Sequence, residues 1–135
     1  MDQFSIDLQV RDYECDMQGI VNNAIYQHYL EHARHCFLGS RGLDFAALTR
    51  AGVIIVIARA ELDYLQPLRA GDDFSVSVAC SRPSRVRLQF DQVITRRQDD
   101  APALNARLIA TAVNDRGRPY FPEALHELLT PGSGA

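Results

Sequence analysis

The sequence predicts an α+β domain in which a five-stranded antiparallel sheet wraps one long helix. Three observations lead there. Apolar and polar residues alternate through most of the chain, the pattern of strands with one face on a core. One stretch, beginning near residue 23, changes to the helical period. No second long helix recurs between the later strands, which excludes a doubly wound parallel sheet and leaves strands joined by short turns.

The first strand is read from Phe4, Ile6, Leu8 and Val10 alternating with Ser5, Asp7 and Gln9. Residues 12–22 then hold Gly19 and several side chains that bond to nearby backbone, so a structured loop is expected there. From Asn23, a stripe of Ile25, Tyr29, Ala33, Cys36 and Phe37, widened by Tyr26 and Leu30, marks a largely buried helix. Asn22 or Asn23 can cap its start, and Gly39 or Gly42 can end it. Residues 44–50 suggest one short helical turn.

The aliphatic run 53–58 passes into Ala60, Leu62 and Tyr64 alternating with Arg59, Glu61 and Asp63, a long second strand expected to be buried at its start. Pro67 and Gly71-Asp72 turn the chain into a third strand, carried by Phe74, Val76, Val78 and Cys80. Pro83 and Ser84 end it. A fourth strand starts at Val86, Leu88 and Phe90 and runs to about Thr95, and a fifth covers 104–113 after a polar, Pro-containing loop at 99–102. Residues 123–129 suggest a short helix, and the chain end beyond it a loose tail.

A chain of 135 residues, 47% hydrophobic and 23% charged, suits one domain spanning residues 1–135 and one active site. The net charge of -3 gives no electrostatic reason to bind nucleic acid or an anionic membrane, so an anionic ligand must be met by local arginines. No segment approaches the roughly 20 apolar residues that a bilayer-spanning helix needs. Cys15, Cys36 and Cys80 are odd in number and widely spaced, which argues against a disulfide framework and a zinc site and for a reducing cytoplasm.

The segment VRDYECDMQGIVNNAIY at residues 10–26 resembles the signature of the 4-hydroxybenzoyl-CoA thioesterase-like family. Together with His32-Ala33-Arg34-His35, it is most similar to the plant acyl-lipid thioesterases related to methylketone biosynthesis. Pro67-Leu68-Arg69-Ala70-Gly71 and Thr111-Ala112-Val113 extend the likeness over nearly the whole chain. The resemblance implies a hotdog fold, with the active site and an acyl tunnel at the interface of a homodimer or homotetramer. It implies no cofactor and no metal. The implied substrate is a fatty-acyl, 3-oxoacyl or polyketide-like thioester of acyl-carrier protein or coenzyme A.

The chemistry suits the motif. Thioester hydrolysis needs an activated water or a nucleophile, and donors for the negative charge that develops on the carbonyl oxygen. Asp16 supplies a carboxylate for either route, as general base or as attacking group. A helix starting near Asn22 offers unpaired backbone N–H groups and a dipole favouring negative charge. By the resemblance, the Asn23 N–H is the oxyanion donor, and Gly19 lets the thioester approach the loop. Asp16 is also an ordinary turn former, and Asn22 and Asn23 are ordinary caps.

Asn22, Tyr26 and Val21 are candidate substrate contacts, and Arg85 and Arg87, beside Arg82, are candidates to hold carrier phosphates. His28, His32 and His35 share a helix face but lack the HExxH pattern. Glu61 reads as structural, and Glu31 as the partner of Arg34 three residues on. Two other readings use the same fold: a non-catalytic acyl-thioester binder, and an enoyl-thioester hydratase, whose Asp/His loop motif is absent here.

Overall fold

The fold is taken from a computed structural model, which describes residues 3–129. Strand β1 (Phe4–Gln9) leads through a 3-10 turn (Asp12–Glu14) into the long helix α1 (Asn23–Ser40) and the short α2 (Phe45–Arg50). Four long strands follow, β2 (Ile54–Tyr64), β3 (Asp73–Ser81), β4 (Arg87–Arg96) and β5 (Ala101–Val113). A two-residue β6 (Pro119–Tyr120) and a 3-10 helix (Glu123–Leu129) complete the described chain. The loose tail expected after residue 129 lies outside the described residues.

All strand pairs are antiparallel, in the order β1-β3-β4-β5-β2, with β6 beside β5. The sixth strand adds to the five expected. It pairs with Ala112 and Val113, just past the last β4–β5 partners, Arg87 and Thr111, so it prolongs the sheet where β4 has ended.

The helix forms where expected. Asn22 caps it, its Oδ1 accepting the Ala24 N–H at 2.9 Å. Gly39 lies inside the helix, while Gly42, at φ +78°, supplies the left-handed residue just after it. Tyr29, Leu30, Ala33 and Phe37 face the concave side of the sheet, meeting a core that includes Phe74, Val76, Leu88, Ile94, Leu104 and Leu108. Leu125 and Leu128 of the terminal 3-10 helix join the same core. Phe37 is 2% exposed, with the Phe4 ring 5.4 Å away edge-on and the Arg41 guanidinium 4.8 Å over its face. Phe37→Ala is therefore expected to cost about 3–5 kcal/mol of stability, measured as a shift in the denaturant midpoint.

Two expectations are corrected. The run at 53–58 is not buried at its start: Ile54, Val56 and Ile57 are 42%, 41% and 43% exposed. β2 is an edge strand; among the described residues α1 packs chiefly against β3 and β1, and the short α2 gives β2 only partial cover. β5 also begins at Ala101, inside the expected loop. Pro102 lies past Leu104, the last β2 ladder partner, where the Leu65 and Gln66 N–H groups both turn to Ala103 O, and a register shift between Ile94 and Thr95 accommodates it on the β4 side.

Candidate active site

The loop between β1 and α1 is a small hydrogen-bonded structure of its own. At its root, the Val10 N–H donates to Asp72 O and the Gly71 N–H to Val10 O, both at 2.9 Å. Cys15 and Val21 then pair as an isolated antiparallel bridge, closed by the Asp16 N–H donating to Ile20 O at 2.8 Å. Between them Asp16, Met17, Gln18 and Gly19 make a tight turn in which the Gly19 N–H donates to Asp16 O at 3.0 Å. Gly19 sits at φ +80°, and an added Cβ would meet nothing within 4 Å. The turn itself demands glycine through its backbone angle, not through crowding.

Asp16 is exposed at the tip of this turn, and its Oδ1 accepts the Gln18 N–H at 2.8 Å. The outgoing stem leads directly to the helix: the Asn22 N–H donates to Glu14 O at 3.0 Å, and Asn22 then caps α1. The Ile25 N–H returns to Asn22 O. Among the described residues the Asn23 N–H has no acceptor, as the first turn of a helix requires. The carboxylate of Asp16, Gly19, the Asn22 cap and the free Asn23 amide thus belong to one short, internally bonded segment.

Other candidates are placed differently. Val21 and Tyr26 are 1% and 3% exposed, packed in the core and not open to a ligand from this chain. The Tyr26 hydroxyl accepts the Leu68 N–H at 3.1 Å, and the Val21 N–H donates to Leu68 O at 2.9 Å, so both residues fasten the loop to the β2–β3 connection. Burial pushes the Tyr26 hydroxyl above its ordinary pKa.

Arg85 and Arg87 lie at the wrong end of the sheet to meet Asp16 of the same chain. Ile20 bridges to Arg69, just before β3, whereas both arginines follow β3; its 9 residues at ~3.3 Å each separate the two ends by roughly 30 Å. Arg82 braces that far turn, with Nη2 donating to Arg85 O at 2.7 Å and its guanidinium 3.9 Å over Phe121.

Glu31 does not pair with Arg34. Arg34 turns inward, 9% exposed, and its Nη1 donates to Gln92 Oε1 at 3.1 Å, while Gln92 Nε2 donates to Leu30 O. Burial lowers the Arg34 pKa, partly offset by the Glu31 charge. Glu61 lies beside Arg59 at 3.4 Å on the surface. His32 Nε2 is 3.8 Å from Cys36 Sγ, and His35 stacks on Phe45. Among the described residues no group of three or more His, Cys, Asp or Glu is placed to hold a metal ion.

Sequence reasoning missed Glu14 and Tyr29 as parts of the site. The Tyr29 hydroxyl donates to Glu14 Oε1 at 2.7 Å, and the same oxygen accepts the Arg11 N–H at 2.9 Å. The available signal was spacing: Glu14 stands three residues after Arg11, as in a capping box, and two before Asp16.

Comparison with known proteins agrees with this architecture. The chain is 40% identical over 114 residues to an acyl-acyl carrier protein thioesterase of Arabidopsis thaliana, ATL3, and 39% identical to its relative ATL2, both chloroplastic. These matches cover 84% of this chain but only 60% and 61% of the plant proteins. The fold superposes on a 1,4-dihydroxy-2-naphthoyl-CoA thioesterase from Synechocystis with a TM-score of 0.89 at 18% identity, over 95% of this chain and 96% of that one. It superposes on a hypothetical protein from Aquifex aeolicus with a TM-score of 0.87 at 29% identity, over 94% and 99%. Residues 10–129 match the family model of the thioesterase-like superfamily, whose members include hotdog-fold enzymes, and the chain belongs to that superfamily.

Proposed function

We propose that this protein hydrolyses acyl thioesters of acyl-carrier protein or coenzyme A at the loop that carries Asp16. The observation that supports it most is the joining of an exposed carboxylate turn to the unpaired first N–H of α1 through the Asn22–Glu14 hydrogen bond. Water is activated by Asp16 and attacks the thioester carbonyl, or Asp16 attacks it directly and water then opens the anhydride. In both routes the charge on the carbonyl oxygen falls to the Asn23 N–H at the positive end of the helix dipole. The C–S bond breaks, and the free acid and the thiol leave. Gly19 keeps the turn low enough for the ester to approach. The matched region spans most of this chain and is shared with plant proteins named for acyl-carrier-protein thioesters, which favours a fatty-acyl or 3-oxoacyl chain.

The working unit is a homodimer or a pair of dimers. An edge strand bearing the exposed Ile54, Val56 and Ile57 is a template for another copy of itself. A second copy is also the way to bring Arg85 and Arg87 to a carrier phosphate, since one chain holds them far from Asp16. Among the described residues no helix is long and apolar enough to cross a membrane, and three free cysteines fit a reducing cytoplasm.

One observation favours a second reading. Asp16 Oδ1 already accepts the Gln18 N–H, as a turn-forming Asp does in a protein that only binds thioesters. Mass analysis of a 3-oxoacyl and an enoyl substrate after incubation separates the readings. Hydrolysis gives the free acid and a thiol, hydration adds one water with the thioester intact, and a binder leaves both unchanged.

A further inference from the structure

We propose that Glu14, held by the Tyr29 hydroxyl, is the positioning residue that sets the Asp16 turn against the start of α1; this rests on the hydrolase reading above. The turn has two stems. The outgoing one is fixed by the Val21 N–H to Leu68 O and by the Ile20–Arg69 bridge. The incoming one depends on Glu14, whose carboxylate and backbone act in different directions.

Through Oε1 the carboxylate accepts the Tyr29 O–H at 2.7 Å and the Arg11 N–H at 2.9 Å. Through its backbone oxygen it accepts the N–H of Asn22, the helix cap. Glu14 therefore ties together the loop entry, the buried face of α1 and the cap beside the Asn23 amide. Asp16 lies two residues on, and among the described residues its own side chain bonds only within the turn. The direction in which its carboxylate points is inherited from this anchor.

Tyr29 suits the anchoring role. It is 6% exposed, its ring rests on Phe74 with centroids 4.7 Å apart and meets Tyr26 edge-on, and so its hydroxyl is fixed by the core. Burial first, then the Glu14 hydrogen bond, push its pKa far above the ordinary value, which keeps the phenol protonated and a donor throughout the working pH range. Catalytic groups misplaced by about 1 Å can lose about a hundredfold in rate, so the anchor bears on turnover and not only on stability.

The test compares Tyr29→Phe, Glu14→Ala and Glu14→Gln, each normalised to folded protein, by kcat and KM for a thioester substrate and by hydrogen exchange at the Asp16, Gly19 and Asn22 amides, all three of which are hydrogen-bonded. Tyr29→Phe keeps the ring and removes the donor; Glu14→Gln keeps a neutral oxygen able to accept both bonds. The expected result is a kcat lowered about tenfold or more in the first two with KM nearly unchanged, faster exchange at the three amides, and rescue of both readouts by Gln. Wild-type kcat and exchange in Tyr29→Phe and Glu14→Ala overturn the proposal, as does a loss of melting temperature alone. Should the wild-type protein release no thiol, the hydrolase reading fails, and exchange by itself decides whether Glu14 anchors the turn.

Discussion

If the working unit is the proposed dimer, Ile57→Lys is expected to turn it into a monomer and to remove most of its turnover. Ile57 is 43% exposed on β2, faces the same side of the sheet as Ala110 and, among the described residues, has no strand beside it at the open edge. In a pairing of two β2 edges, each copy would bring its own ammonium into the seam. Burying an unpaired charge costs several kcal/mol even after relaxation, and the apolar contact of the isoleucine is lost as well. A dissociation constant raised by about a hundredfold or more is expected, visible as a shift in sedimentation at micromolar concentration. In a single chain the lysine stem can lie along Leu38, Phe45 and Phe90, which line a pocket with Ile57, while its ammonium reaches water, so the monomer keeps its fold and its circular dichroism. On the proposed dimer, turnover falls with dissociation because Arg85 and Arg87 would then have no second copy to serve. A variant that stays assembled and active would place the interface elsewhere.

Much of this fold is legible in the sequence because most elements have one covered and one open face. β1, β3 and β4 alternate cleanly for that reason, and the single long helix stands out by its change of period. The Asp16-x-x-Gly19 turn is legible too, since only glycine takes its φ of +80° without strain. What the sequence does not carry is adjacency. The aliphatic run in β2 reads as buried because hydrophobicity cannot say whether a strand lies at the centre or the edge. Nor does the motif say which way Val21 and Tyr26 face; in this chain both are buried.

For charged residues, too, adjacency is not written in the sequence. Arg85 and Arg87 have the right chemistry for phosphate, but their separation from Asp16 follows from the antiparallel pairing of β1 with β3, which spacing along the chain does not reveal. Glu31 and Arg34 have the spacing of a surface ion pair, yet Arg34 points at the sheet, where Gln92 waits as a neutral partner. Glu14 was overlooked because its partner Tyr29 lies in another element and is joined to it only by folding.

The largest effect expected in the molecule belongs to Asp16→Asn. Asparagine preserves the size of the side chain, and its amide oxygen can still accept the Gln18 N–H, so the turn and the Asn22 cap should survive unchanged. What disappears is the carboxylate, which is needed whether the residue deprotonates water or attacks the ester itself. Removing a general base lowers turnover by about 10²–10⁴, and the loss should fall on kcat with little change in KM, since the backbone donors and chain contacts remain. The most direct measurement is therefore thiol release from acyl-carrier-protein and acyl-CoA substrates by the wild-type protein and by Asp16→Asn at equal folded concentration. Thiol release by the wild type that drops at least a hundredfold in the variant is the predicted result; no release by the wild type, or an unimpaired Asp16→Asn, would contradict it.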